Sequence, residues 1–271
     1  MRADVPLINF SESEEASAMA DSSHQLLDLC LRFGTMLMEV GAETSRVEDS
    51  ITRILKAYGL REPSAFAIPT LVLITFKDEK GSTYTSSRRI TVRGNNLYRL
   101  TMLNQLSRTL CEGERKTTDY FRVELEKIAV TPNRRFSVVL LATVLVSLGF
   151  TLIFRGSWLD ALASCVTAVV MRLVFVTLER MQVNSIFNHL VSAFVAGLGI
   201  EGLYHLGLAI NPALATIAVI MNIVPGMLIT NSIRETIGGD FTSGMNKIIE
   251  ALLIAVALAV GAGSAVVLFG R

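Results

Sequence analysis

Phe136 to Phe154 reads FSVVLLATVLVSLGFTLIF, nineteen residues without a charge. At 1.5 Å of rise per residue such a helix is roughly 28 Å long, about the thickness of one hydrocarbon core. This stretch is a membrane span, and it divides the sequence. Before it the chain is polar and rich in charge; after it, long apolar runs alternate with short polar connections.

Four further runs of spanning length follow, at about Trp158 to Leu178, Ser185 to Leu206, Pro212 to Ile233 and Ile248 to Phe269. Five crossings put the two termini on opposite sides. Arg115, Lys116, Arg122, Lys127, Arg134, Arg135, Arg180, Arg234 and Lys247 fall on one side of such a bundle, against Arg155 and Arg271 on the other. Basic residues mark the cytoplasmic side. The expected protein is therefore a multi-pass membrane protein, with its first half in the cytoplasm and Arg271 outside.

A hydrophobic fraction of 51%, mean hydropathy of +0.49 and net charge of +1 blend a soluble domain with an apolar bundle. They carry no footprint of a nucleic-acid partner. The opening residues to about Ser22 are too acidic for a secretory signal and are expected to form a mobile tail. Cys30, Cys111 and Cys165 lie far apart with no His or Cys at ligand spacing, so they read as small buried residues and suggest neither a disulfide framework nor a metal site. No cofactor motif or catalytic signature is present: HExxH, GxSxG and a phosphate loop are all missing.

Residues 23–131 have the pattern of a cytoplasmic α+β domain. Leu26, Leu29, Cys30, Phe33, Met36, Leu37 and Val40 recur at helical spacing up to Gly41, which suits the left-handed residue that ends a helix. Ser45 and Glu48 have capping-box spacing at the head of a second helix, with Val47, Ile51, Ile54, Leu55 and Tyr58 on its apolar face. Leu71 to Phe76 follows Pro69 and pairs with Ser82 to Val92 as a β-hairpin. A third helix starts at Asn95 or Asn96, turns Leu97, Leu100, Leu103, Leu106 and Leu110 inward and ends at Gly113. A fourth covers about Thr118 to Ala129. The expected order is ααββαα, followed by an all-α bundle of five transmembrane helices over 132–271.

Several of these elements together resemble the bacterial threonine/serine exporter family. They are Leu37 to Glu48 (LMEVGAETSRVE), the hairpin at Pro69-Thr70, the strand Arg89-Ile90-Thr91-Val92, Val224-Pro225-Gly226, Asn231 to Glu235 (NSIRE) and Gly239 to Gly244 (GDFTSG). The likeness runs from about His24 to Gly270. Full-length members of this family continue into a second block of membrane helices that this sequence does not contain. It is similar instead to the larger subunit of the split, two-component exporters, one of which is associated with succinate efflux. The resemblance implies a small multi-span membrane protein as partner, a bilayer, and a small carboxylate-bearing substrate; a homo-oligomer is compatible with it. In the cytoplasmic element the resemblance singles out Gly41, Glu43, Arg46 and Glu48, for ligand binding or docking or simply as a well-charged first turn.

The membrane half supports transport on its own terms. Proline removes a backbone donor and glycine permits unusual angles, so Pro225-Gly226 should break the fourth span well inside the bilayer. Asn222, Thr230 and Asn231 can bond freed backbone groups or a solute, and a half-helix starting near Gly226 favours a carboxylate at its N-terminus. A packed kink without a ligand is the other reading. Arg172 is basic within an apolar run; it either binds a carboxylate bidentately or snorkels to the cytoplasmic interface. Asp160 and Glu201, near the outer ends of their spans, are expected to be solvated. His189 and His205 are expected to be hydrogen-bonded packing residues, and Glu250 lies within helical reach of Lys247. Gly239 and Asp240 sit in a loop that either gates the inner mouth or caps the last helix, with Thr242 or Ser243 as N-cap. Two functions stay open: a subunit of an exporter of small carboxylate-bearing metabolites, or a non-transporting receptor or scaffold whose soluble domain binds a ligand.

Overall fold

The computed structural model describes residues 10–92, 94–132 and 134–269, with side chains from Ser22 onward. The chain divides into two compact units. One is built on the residues up to Pro132 together with Ile237–Ser243, and the other on the residues between and after these.

In the N-terminal unit, α1 (Phe10–Glu39) and α2 (Thr44–Ala57) lead into β1 (Arg61–Ile68), β2 (Leu71–Lys77) and β3 (Thr83–Arg89); α3 (Leu97–Cys111) and α4 (Thr118–Val130) follow. The three strands form one antiparallel sheet in sequence order, with Ile68 opposite Leu71 and Leu71 opposite Arg89. The observed order is thus ααβββαα, one strand more than the expected ααββαα. β1 escapes a pattern reading because REPSAFAI contains Pro63 and buries Ala67 alone, leaving Phe66 exposed. A sheet edge tolerates such a proline, and the ladder here shifts register between Arg61 and Ser64.

The segment to Ser22, expected as a mobile tail, is helical from Phe10; its residues 1–9 lie outside the described residues. Glu14, Glu15, Ala16, Met19 and Ala20 are favourable helix formers that extend the apolar helix begun at Leu26. At its other end, α1 stops at Gly41, whose φ of +91° is costly for any residue with a Cβ. The core behind this helix joins Leu26, Cys30, Phe33 and Leu37 to Ile51 and Ile54 of α2, Val72, Ile74 and Phe76 of β2, Leu103 of α3 and Phe121 and Leu125 of α4. Phe33 and Phe121 meet edge to face at 6.0 Å. Leu97, expected inside, is exposed, because it occupies the first turn of α3 directly after the Asn96 cap.

The second unit contains α5 (Phe136–Ile153), α6 (Trp158–Arg180), α7 (Ser185–His205), α8 (Pro212–Ile220), α9 (Gly226–Ile237, its last residue clustering with the other unit) and α10 (Phe241–Phe269, beyond its first turn). Four of these, α5, α6, α7 and α10, are long and apolar enough to cross a membrane. The stretch expected as the fourth span, Pro212 to Ile233, is two short helices separated by Met221–Pro225. Its burial pattern reverses that of a soluble bundle. Leu141, Leu145, Leu162, Val166, Leu252 and Val256 face outward, while Ala163, Ala168, Ala193, Ala196 and Ala215 fill the centre. In lipid, small inner residues allow helices to approach closely. α7 and α10 do so at Gly261, where a Cβ would run into the carbonyl oxygen of Leu190.

Candidate functional site

The break between α8 and α9 is lined by a polar seam. Asn222 Nδ2 donates to Ser147 Oγ at 2.7 Å and to Val219 O at 3.1 Å. One turn along α5, Thr151 Oγ1 lies 2.8 Å from Ser164 Oγ of α6. Thr143, Ser147 and Thr151 are the buried residues of α5, and all three carry hydroxyls. Their spacing of four places them on one helical face. This inward hydroxyl stripe went unread in the sequence although its spacing was visible there, because the surrounding apolar run reads only as a span.

Around the break, Gly226 N donates to Val224 O at 2.8 Å and Pro225 O accepts from Ile229 N at 3.1 Å, so α9 begins afresh directly after the proline. Thr230 Oγ1 is spent on Gly226 O at 3.0 Å and is exposed; Asn231 is half-buried. Arg172, on α6, is half-buried with its Cζ 5.5 Å from the centre of the Phe175 ring. Its Nε has no hydrogen-bond partner among the described residues. Arg172 and Asn222 therefore each have their own neighbours, Phe175 and Ser147.

Two carboxylates expected to be solvated are buried. Asp160 accepts from Ser157 N and Oγ, completing a capping box at the start of α6, and its other oxygen accepts from Ile210 N at 2.7 Å and Asn211 N at 2.8 Å. It ties the loop before α8 to the head of α6, a long-range duty that local spacing does not reveal. Glu201 is likewise buried, on α7. His189 Nδ1 lies 2.6 Å from Ser185 O and His205 Nε2 lies 2.7 Å from Phe269 O. Lys247, placed within reach of Glu250 by helical spacing, instead bonds Glu235 of α9 at 2.5 Å.

In the N-terminal unit the family-like elements converge. Thr44 Oγ1 donates to Asp240 Oδ2 at 2.5 Å, and Asp240 Oδ1 accepts from Ser243 N at 3.1 Å. The residue capping α10 by side chain is thus Asp240, ahead of the expected Thr242 or Ser243, and Gly239 precedes it with φ +92°. Glu48 does not close a capping box with Ser45. Glu43 is the N-cap of α2, without a side-chain cap bond, and Glu48 Oε1 accepts from Ala67 N of β1 at 2.8 Å. Burial holds the Glu48 carboxyl above its ordinary range and the nearby Asp240 charge adds to the rise, against the lowering bond from Ala67. Arg46 is exposed. Burial pushes the Cys30 thiol far above its usual range, which keeps it unreactive.

Residues 28–269 match the family model described as "Putative threonine/serine exporter". The chain belongs to the threonine/serine exporter family. It is 28% identical over 258 residues to a protein of Klebsiella aerogenes named "Probable succinate transporter subunit YjjP", covering 93% of this chain and 97% of that one. To the protein of the same name from Escherichia coli K12 it is 26% identical over 246 residues, 89% of this chain and 94% of that one. No solved structure matches. In this member of the exporter family, two of the elements that carried the sequence resemblance meet, the Gly41–Glu48 segment being bonded to the Asp240 loop, and a third, Pro225-Gly226, stands at the helix break with its polar seam.

Proposed function

We propose that this chain is one subunit of an inner-membrane exporter of small carboxylate-bearing metabolites, of the succinate or the threonine/serine kind. The observation that carries the reading is the interrupted helix of an exporter-family chain: α8 and α9 break at Pro225 inside an apolar bundle whose inward face carries Asn222, Ser147, Thr151 and Ser164. Unwound backbone is tolerated at membrane depth where it lines a polar cavity or is buried in protein. The pathway runs past this break, with Arg172, Asn222, Pro225, Gly226, Thr230 and Asn231 as its candidate residues and the carboxylate as the group they recognise.

α8 and α9 together make the fourth of five crossings, so the N-terminal unit is cytoplasmic and the C-terminus lies outside, in line with the nine-to-two division of Lys and Arg. The partner is a smaller multi-span membrane protein, in keeping with the word "subunit" in the names of both relatives. The Gly239–Asp240 loop, its Asp240 held by Thr44, is the candidate gate or cap. Efflux of labelled succinate, threonine and serine from cells producing this chain and its partner tests the reading. Accelerated efflux of at least one solute is expected, and unchanged efflux of all three overturns it.

A further inference from the structure

The pair Lys247–Glu235 stands apart from the other ion pairs described. Its side chains are 9% and 1% exposed, at 2.5 Å, whereas the side chains of Arg32–Glu126, Arg53–Asp49, Lys77–Glu62, Arg88–Asp28, Arg122–Asp119 and Lys127–Glu124 are all at least 31% exposed. Removing two charges from water costs several kcal/mol per ion, and apolar replacements of such pairs are often as stable or more so. Stability is therefore a poor reason for this pair.

The surroundings are built for a charge. α9 has a polar inner face: Ser232 and Glu235 are buried, while Ile229, Thr230, Ile233, Arg234 and Ile237 are exposed. Lys247 does not snorkel outward; its head lies on that inner polar face. Gly244 sets the spacing, because a Cβ there would run into Thr236 Oγ1, with Ser232 O at 2.9 Å. α9 and α10 thus meet closely one turn before the pair. An ammonium carries three N–H donors, and among the described residues Glu235 is the hydrogen-bond partner of Lys247.

We propose that Lys247 is a carboxylate-binding station of the transport path, and that Glu235 is its resident ligand, displaced by the carboxylate of the passing solute. The inference rests on the exporter reading and deepens it. Glu235 lies nine residues beyond Gly226 on the same helix, roughly 13 Å along the axis. A small dicarboxylate cannot reach that far, so this is a second station, separate from the break. While the solute's carboxylate holds Lys247, Glu235 is a displaced buried charge that only a proton or other donors can relieve, which makes occupancy by the solute transient, as passage requires. A neutral isostere of the solute gains only a weaker hydrogen bond from the ammonium and is disfavoured here.

The test uses the full chain with its partner subunit in nanodiscs, and binding of labelled succinate competed by unlabelled succinate or its neutral diamide. Glu235→Gln removes the competing carboxylate while keeping size and hydrogen bonding, and succinate affinity is expected to rise at least about tenfold. Lys247→Met should lower it by a similar factor, and the diamide should not compete in any variant. The double variant E235Q/K247M leaves no unpaired buried charge, so it should fold and should bind as poorly as Lys247→Met. Wild-type affinity in E235Q, or in the double variant, overturns this inference while leaving the exporter reading intact. Absence of carboxylate binding and of efflux for all solutes in the wild type overturns both.

Discussion

Thr44 and Asp240, 196 residues apart, share a hydrogen bond of 2.5 Å that fastens the loop between α9 and α10 to the head of α2. Because Asp240 also caps α10 through Ser243 N, the same carboxylate serves two elements. Asp240→Ala should lose both bonds and Thr44→Val one, each bond being worth about 1–2 kcal/mol. A double-mutant cycle on thermal unfolding should find the two changes non-additive. Limited proteolysis should cut within Ile237–Ser243 faster in either variant. Equal cleavage rates in wild type and Asp240→Ala would show that the bond does not hold the loop.

Glu48 supplies a pH signature. Its folded pKa lies above the ordinary value through burial, with Asp240 contributing, so the folded protein holds this proton more tightly than the unfolded chain. The group's contribution to stability is full below the unfolded pKa, about 4.5, and is lost as pH rises through the folded value. Glu48→Gln keeps an acceptor for Ala67 N and removes the charge. It should melt above wild type at neutral pH and converge with it in acid. A difference that grows towards acid would reverse the sign argued here.

Asp160 is a second buried carboxylate whose partners are specific. Asp160→Ala would strip acceptors from Ser157 N, Ile210 N and Asn211 N at once, and each orphaned donor costs about 1–3 kcal/mol. The expected result is a steep fall in the amount of folded protein extracted from membranes. Asp160→Asn should fall less, since one amide oxygen can still accept. If Asp160→Ala is extracted at wild-type level, the carboxylate is not the tie between the head of α6 and the loop before α8.

At Arg172 the competing roles give different results. If the guanidinium binds the solute, Arg172→Gln should strongly reduce export and Arg172→Lys partly, with insertion unchanged, because an ammonium lacks the planar fork. If it only snorkels, Lys should be nearly fully active. Pro225→Ala restores a backbone donor and tends to join α8 to α9. Under the pathway reading it should lower export at constant protein level.

The membrane half was largely legible because length and apolarity alone place α5, α6, α7 and α10, and Pro225-Gly226 announced the break. What escaped were relationships that sequence spacing cannot express. Glu48 has capping-box spacing from Ser45, yet a strand invisible to pattern reading, β1, supplies its real donor at Ala67. Asp160 satisfies a local box and also a loop fifty residues on. Lys247 faces Glu235 across the turn at Gly239, where the helical rule pointed to Glu250. The hydroxyls of Thr143, Ser147 and Thr151 had helical spacing from the start, but only their common burial shows that the stripe faces inward.

Reconstitution in vesicles measures export in isolation. Proteoliposomes loaded with labelled succinate, threonine or serine would carry this chain alone, the partner subunit alone, or both. Vesicles holding both chains should release at least one of these solutes, and release should fall sharply when Asn222→Leu disrupts the seam at Ser147. Vesicles holding both chains that retain all three solutes as tightly as empty liposomes would contradict it.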